Sequence, residues 1–141
     1  MFGNCIWAEL NETNDFFKIN KILFEMCNSQ IHIPHITLEY NSKEKNINNF
    51  KKAEFKKIGN VYSSVTKNFY SLQQDYIDNN NKLYHVSLAY KVDIPFTENE
   101  VKYANMLDIP LVIKKEEYNV TLWNCNSVYT SEWFKIFKFF L

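Results

Sequence analysis

Of the three histidines in the chain, two head the same four-residue pattern, His35-Ile36-Thr37-Leu38 and His85-Val86-Ser87-Leu88. Side chains alternate faces along a β-strand, so His35 and Thr37 share one face while Ile36 and Leu38 take the other. His85 and Ser87 stand likewise against Val86 and Leu88. Each copy therefore offers an imidazole beside a hydroxyl, over an apolar face suited to packing under helices. Imidazole, with an ordinary pKa of about 6.5, can take or give a proton near neutral pH. Two imidazoles across a cleft can hold opposite protonation states, one activating an attacking oxygen and the other protonating a leaving oxygen. The hydroxyls can donate to the nonbridging oxygens of a phosphodiester, where charge develops. His35 and His85 are thus the catalytic candidates and Thr37 and Ser87 the phosphate-binding ones. The scheme needs no metal and no other cofactor. His32 reads as a structural residue, three positions from His35 and so on the opposite face of a continuous strand.

The elements that must hold these pairs follow from hydrophobic pattern. "NCIWAELN" alternates as a first strand, with Ile6, Ala8 and Leu10 on one face and Cys5, Trp7 and Glu9 on a wetter one. "TNDFFKINKILFEMCNS" has helical spacing of its apolar residues, with Thr13 or Asn14 as cap. "IHIPHITLEYN" is the first motif strand, followed by a charged loop from Asn41 to Asn49 that leads into a short helix. Between Glu54 and Ile77 the β-branched and aromatic residues favour strands. "DNNNK" is a turn that makes "LYHVSLAYKV" one arm of a hairpin. Thr97 with Glu100 forms a capping box that opens a second helix. "EEYNVTLWNCN" and "EWFKIFKFFL" close the chain as strands. Trp7 and Trp123 fall on the inferred wet faces and are candidates for stacking on a base. Lys67 and Lys91 are further candidates for phosphate contact.

The chain has 141 residues, 46% of them hydrophobic and 17% aromatic, with only two glycines. That composition describes one strand-rich domain spanning residues 1–141 and excludes a disordered chain. No apolar run reaches the roughly twenty residues of a membrane span, and "MFGNCIWAEL" lacks the pattern of a signal peptide. A soluble cytoplasmic protein without membrane partners is expected. Three widely spaced cysteines provide no paired metal or redox spacing, and are expected to be reduced. Sixteen basic residues, all lysine, balance sixteen acidic ones. Extended nucleic-acid binding leaves a basic excess, and bidentate phosphate recognition falls to arginine, so no stable duplex partner is expected and a small nucleotide or oligonucleotide substrate fits better. Asn, Ile and Lys fill 48 positions, a bias expected of an AT-rich genome such as that of a large virus, in which case the compartment is the host cytoplasm.

"HITL" and "HVSL" on two strands resemble the paired His-x-Thr/Ser motifs of the two-histidine (2H) phosphoesterases, and the resemblance covers most of the chain. It implies an α+β, bilobal, pseudo-twofold fold, with two antiparallel sheets around a central cleft and helices on the outer faces. It also implies that His35 and His85 are general acid and base, and that Thr37 and Ser87 bind phosphate. Two departures stand out: the motifs are closer together than in the bacterial RNA-ligase-like members, and Tyr90 stands where some members carry a basic residue. Compact viral and phage members degrade nucleotide signals, which implies hydrolysis of a cyclic dinucleotide such as cGAMP, a 2',5'-oligoadenylate or a 2',3'-cyclic phosphate, and removal of an immune signal. "YHVSLAY" is also similar to the branch that trims RNA 3' ends. The alternatives are that exonuclease activity, a nucleotide-binding module without catalysis, or a structural domain with coincidental motifs.

Overall fold

A computed structural model describes residues 1–43, 47 and 50–136. Eight strands form one antiparallel sheet: β1 (Asn4–Leu10), β2 (His35–Glu39), β3 (Phe55–Thr66), β4 (Phe69–Ile77), β5 (Leu83–Val92), β6 (Val112–Ile113), β7 (Tyr118–Asn124) and β8 (Phe134–Ile136). Their order across the sheet is β6-β3-β4-β5-β2-β1-β7-β8. Among the described residues there are two α-helices, α1 (Asp15–Cys27) and α2 (Glu98–Asn105), and short 3-10 turns at Lys115–Glu117 and Thr130–Glu132.

The expected pair of sheets with helices outside is therefore corrected to a single sheet in a mainly β fold. The motif strands β2 and β5 are neighbours, joined through Ile36 opposite Val86, and this pairing fuses what two sheets would have kept apart. Both helices serve one core: Phe16, Ile19, Leu23 and Cys27 of α1 and Ala104 of α2 pack with Ala8, Ile36, Leu72, Val86 and Leu88 from the strands. The opposite face carries a second cluster of Cys5, Trp7, Phe69, Tyr90, Trp123, Cys125 and Trp133. The face of β1 read as wetter is thus covered by aromatic rings, with Trp7 only 1% exposed.

Local chemistry explains the element ends. Asn14 caps α1 by accepting from the Phe16 N–H, and Asn28 closes it in the left-handed conformation, its N–H donating to the Phe24 carbonyl. Thr97 and Glu100 make both bonds of the capping box on α2. The turn at 78–82 closes the β4–β5 hairpin, with both the Asp78 and Asn81 N–H groups bonded across it. Strand β2 begins only at His35, later than its sequence pattern suggests. Pro34 has no N–H for a ladder, and its carbonyl accepts from Leu10. His32 accordingly does not sit on the far face of a strand. The predicted short helix after Asn41 and the end of the last strand fall largely outside the described residues. The three cysteines are free and buried. Among the described residues no helix is long and apolar enough to cross a membrane.

Candidate active site

Since Ile36 lies opposite Val86 in an antiparallel pair, stepping one residue each way sets His35 across from Ser87 and Thr37 across from His85. The two motifs thus interlock head to tail on the face that carries no helix. All four side chains line one cavity of about 380 Å³, within the range of small-molecule sites. Its floor is this quartet, and strands β3 and β4 add Ser64, Thr66, Ser71 and Gln73 on one side. Gln73 donates to the Ser71 hydroxyl at 2.8 Å. No lysine, arginine, aspartate or glutamate is among the described lining residues.

His35 is 5% exposed. Its Nδ1 lies 2.6 Å from the Ile33 carbonyl oxygen, which can only accept, so Nδ1 carries the proton and Nε2 keeps its lone pair. Burial, reinforced by His32 and His85, holds the His35 pKa well below the ordinary histidine value. The imidazole stacks on Trp7, with ring centroids 3.4 Å apart and planes 6° from parallel. Trp123 stacks on the other side of Trp7 at 4.4 Å, and its Nε1 donates to Glu9. Trp7 lines the cavity with both ring faces covered, whereas Trp123 lies beyond it and lines a separate apolar pocket.

His85 is half-buried and lies directly across β4 from Asp75. Burial lowers its pKa, and the Asp75 carboxylate acts in the opposite direction. Asp75 in turn accepts from the Tyr62 hydroxyl at 2.6 Å. Glu9 holds the equivalent place across β1 from His35, but its carboxylate is engaged by Thr121, Trp123 and Lys135.

His32 is a buried linchpin. Its Nε2–H donates to the Ser87 carbonyl at 2.8 Å and its Nδ1 accepts from the Asn20 amide at 3.1 Å. Asn20 also donates to the Leu88 carbonyl. These bonds satisfy backbone oxygens that the sparse β2–β5 pairing leaves open. Burial pushes the His32 pKa down to about 4. Lys91 pairs with Glu100 at 3.0 Å, and neither it nor Lys67 lines the cavity.

The main omissions of the sequence reading are Asp75, visible only through strand register, and Tyr40 and Tyr90, both of which line the cavity. Strict alternation assigns these tyrosines to the helix side. Each motif strand instead has a bulge at its leucine, Leu38 against β1 and Leu88 against β4, and the extra residue returns the tyrosine to the face of the histidine. The signal was present as the fifth residue after each histidine, "HITLEY" and "HVSLAY".

No protein-family model and no curated protein matches this chain in sequence. Among the described residues no group of three or more His, Cys, Asp or Glu side chains could hold a metal ion.

Proposed function

We propose that the protein is a metal-independent phosphodiesterase acting on a small nucleotide phosphodiester. The observation that carries this is the convergence of His35, Thr37, His85 and Ser87 on one cavity of about 380 Å³. His35 is the general base: its Nε2 takes a proton from the attacking oxygen as the new P–O bond forms. His85, where burial lowers the pKa and the Asp75 carboxylate partly opposes that lowering, gives a proton to the leaving oxygen as the old P–O bond breaks. Thr37 and Ser87 donate to the nonbridging oxygens. One proton enters at His35 and one leaves from His85, and exchange with water restores both.

The cavity size and the zero net charge of the chain suit a cyclic dinucleotide, a 2',5'-oligoadenylate or a 2',3'-cyclic phosphate better than a long nucleic acid. Removal of such a signal from a cytoplasm is the role that follows. The test is incubation in EDTA with a panel of cyclic dinucleotides, 2',5'-oligoadenylate, 2',3'-cyclic nucleotides and oligouridylate, with product identification. Turnover of one member that His35→Ala and His85→Ala abolish is the expected result. Retention of a nucleotide without turnover would establish a binding module instead, and loss of turnover in EDTA that added zinc or manganese restores would overturn the mechanism.

A further inference from the structure

Strand β3 departs from regular pairing at one place. Ile58 lies opposite Asp75 and Tyr62 opposite Gln73, so β3 advances four residues while β4 advances two. Regular pairing would set Asn60 opposite Gln73, and the bulge sets Tyr62 there instead. Its backbone is held on every side. Gly59 supplies a φ of +71°. The fully buried Gln74 amide donates to the Ile58 and Gly59 carbonyls at 3.0 and 3.1 Å. From α2, Asn105 accepts from the Val61 N–H at 2.7 Å and donates to the Val61 carbonyl at 3.2 Å. These bonds replace the ones that the ladder loses.

What the bulge delivers is a phenol at a carboxylate. Diagonal neighbours on adjacent strands stand about 7 to 8 Å apart, a span that an aromatic side chain covers and a short one such as Asn does not. The Tyr62 hydroxyl donates to Asp75 Oδ1 at 2.6 Å, and Asp75 lies directly opposite His85. Burial, and then the Asp75 charge, push the Tyr62 pKa up, so the phenol keeps its proton and stays a donor. The other titratable groups that line the cavity with His85 are the His35 imidazole on β2, the Tyr40 and Tyr90 phenols, the Cys5 and Cys125 thiols and Met1. A second imidazolium can only oppose charge on His85, whereas Asp75 favours it. Asp75 is only partly buried, so water competes for its carboxylate. A phenol bond offsets part of that charge and also fixes its place. The whole charge is lost to His85 when the carboxylate turns away, so the fixing outweighs the offset.

We propose that Tyr62 is a positioning residue, brought in by the β3 bulge, whose hydroxyl holds the Asp75 carboxylate against His85 and so sustains the imidazolium that donates to the leaving oxygen. The catalytic half of this rests on the reading of His85 as the general acid; the hold on Asp75 does not.

The test is NMR titration of the His85 Cε1–H in the full chain without substrate, assigned by its disappearance in His85→Gln. Asp75→Asn is expected to lower the midpoint by about half a pH unit or more, and Tyr62→Phe, which keeps the ring, to lower it by about 0.3 or more at an unchanged melting temperature. The double variant should match Asp75→Asn alone, because Tyr62 acts through Asp75. A midpoint unmoved or raised in Tyr62→Phe overturns the proposal, as does an unmoved one in Asp75→Asn or a double variant in which the two effects add. On a diester that the protein turns over, the basic limb of kcat/KM should move down with the midpoint in both single variants. A limb that stays in place overturns the catalytic half. The coupled titration in a protein that turns over no diester would sink the phosphodiesterase reading and support the hold of Tyr62 on Asp75.

Discussion

The two motif copies share a pattern and a face but differ in what surrounds the imidazole. His35 is buried, fixed through Nδ1 to a backbone carbonyl and covered by Trp7. His85 is half-buried and faces Asp75. Each has an acidic residue across the neighbouring strand, yet Glu9 is neutralised by Lys135 while Asp75 acts on its histidine. The lesson is that a repeated motif supplies two equal groups, and the side chains around each decide how readily its imidazole takes a proton.

The largest effects should come from the histidines. His35→Ala and His85→Ala are each expected to lower turnover by roughly 10² to 10⁴, with the double variant far from multiplicative. The comparison breaks cleanly on leaving group: a p-nitrophenyl ester needs little protonation, so His85→Ala should recover most of its rate on that substrate and His35→Ala should not. Equal recovery would remove the distinction between base and acid.

Folding stability should depend on acidity through His32, which ties the approach to the first motif to the backbone of the second. The unfolded chain binds the proton near pH 6.5, the folded one only near 4, so the unfolded state holds more protons between those values. Stability is therefore lost as pH falls through that window, by roughly 3 kcal/mol for this one group. Urea denaturation at pH 7 and pH 4.5 measures the loss, and His32→Gln should shrink it. His35 and His85 contribute in the same direction.

Thr37→Ala and Ser87→Ala should cost about 10 to 10³ in turnover, since each removes one donor to the phosphate oxygens. Similar losses would mean that the two copies grip the phosphate alike even where their imidazoles differ. The smallest effect should be that of Asp75→Asn on the pH profile of kcat/KM. The wild-type profile should be bell-shaped, its limbs belonging to the histidine pair. Because Asp75 favours the charged form of His85, its removal should move the basic limb to lower pH and leave the acidic limb in place. A shift of the acidic limb alone would reverse the roles.

How much of this was legible depended on range. Alternation, helical spacing and caps act over a few residues, so the sequence by itself determined both helices, the Thr97 start of the second and, to within Thr13 or Asn14, the start of the first, the hairpin turn at 78–82 and the shared face of His35 with Thr37 and His85 with Ser87. It failed within the same strands at Leu38 and Leu88, because a bulge depends on the partner strand and shifts the parity of every later residue. Tyr40 and Tyr90 were hidden for that reason. Only the tertiary structure decided that one contact, Ile36 against Val86, joins the strands into a single sheet. Only it set Asp75 against His85 and stacked Trp7 on His35. Strand order and cross-strand neighbours join residues tens of positions apart, and the energy that selects them lies in burial and pairing of the whole sheet, which no local pattern encodes.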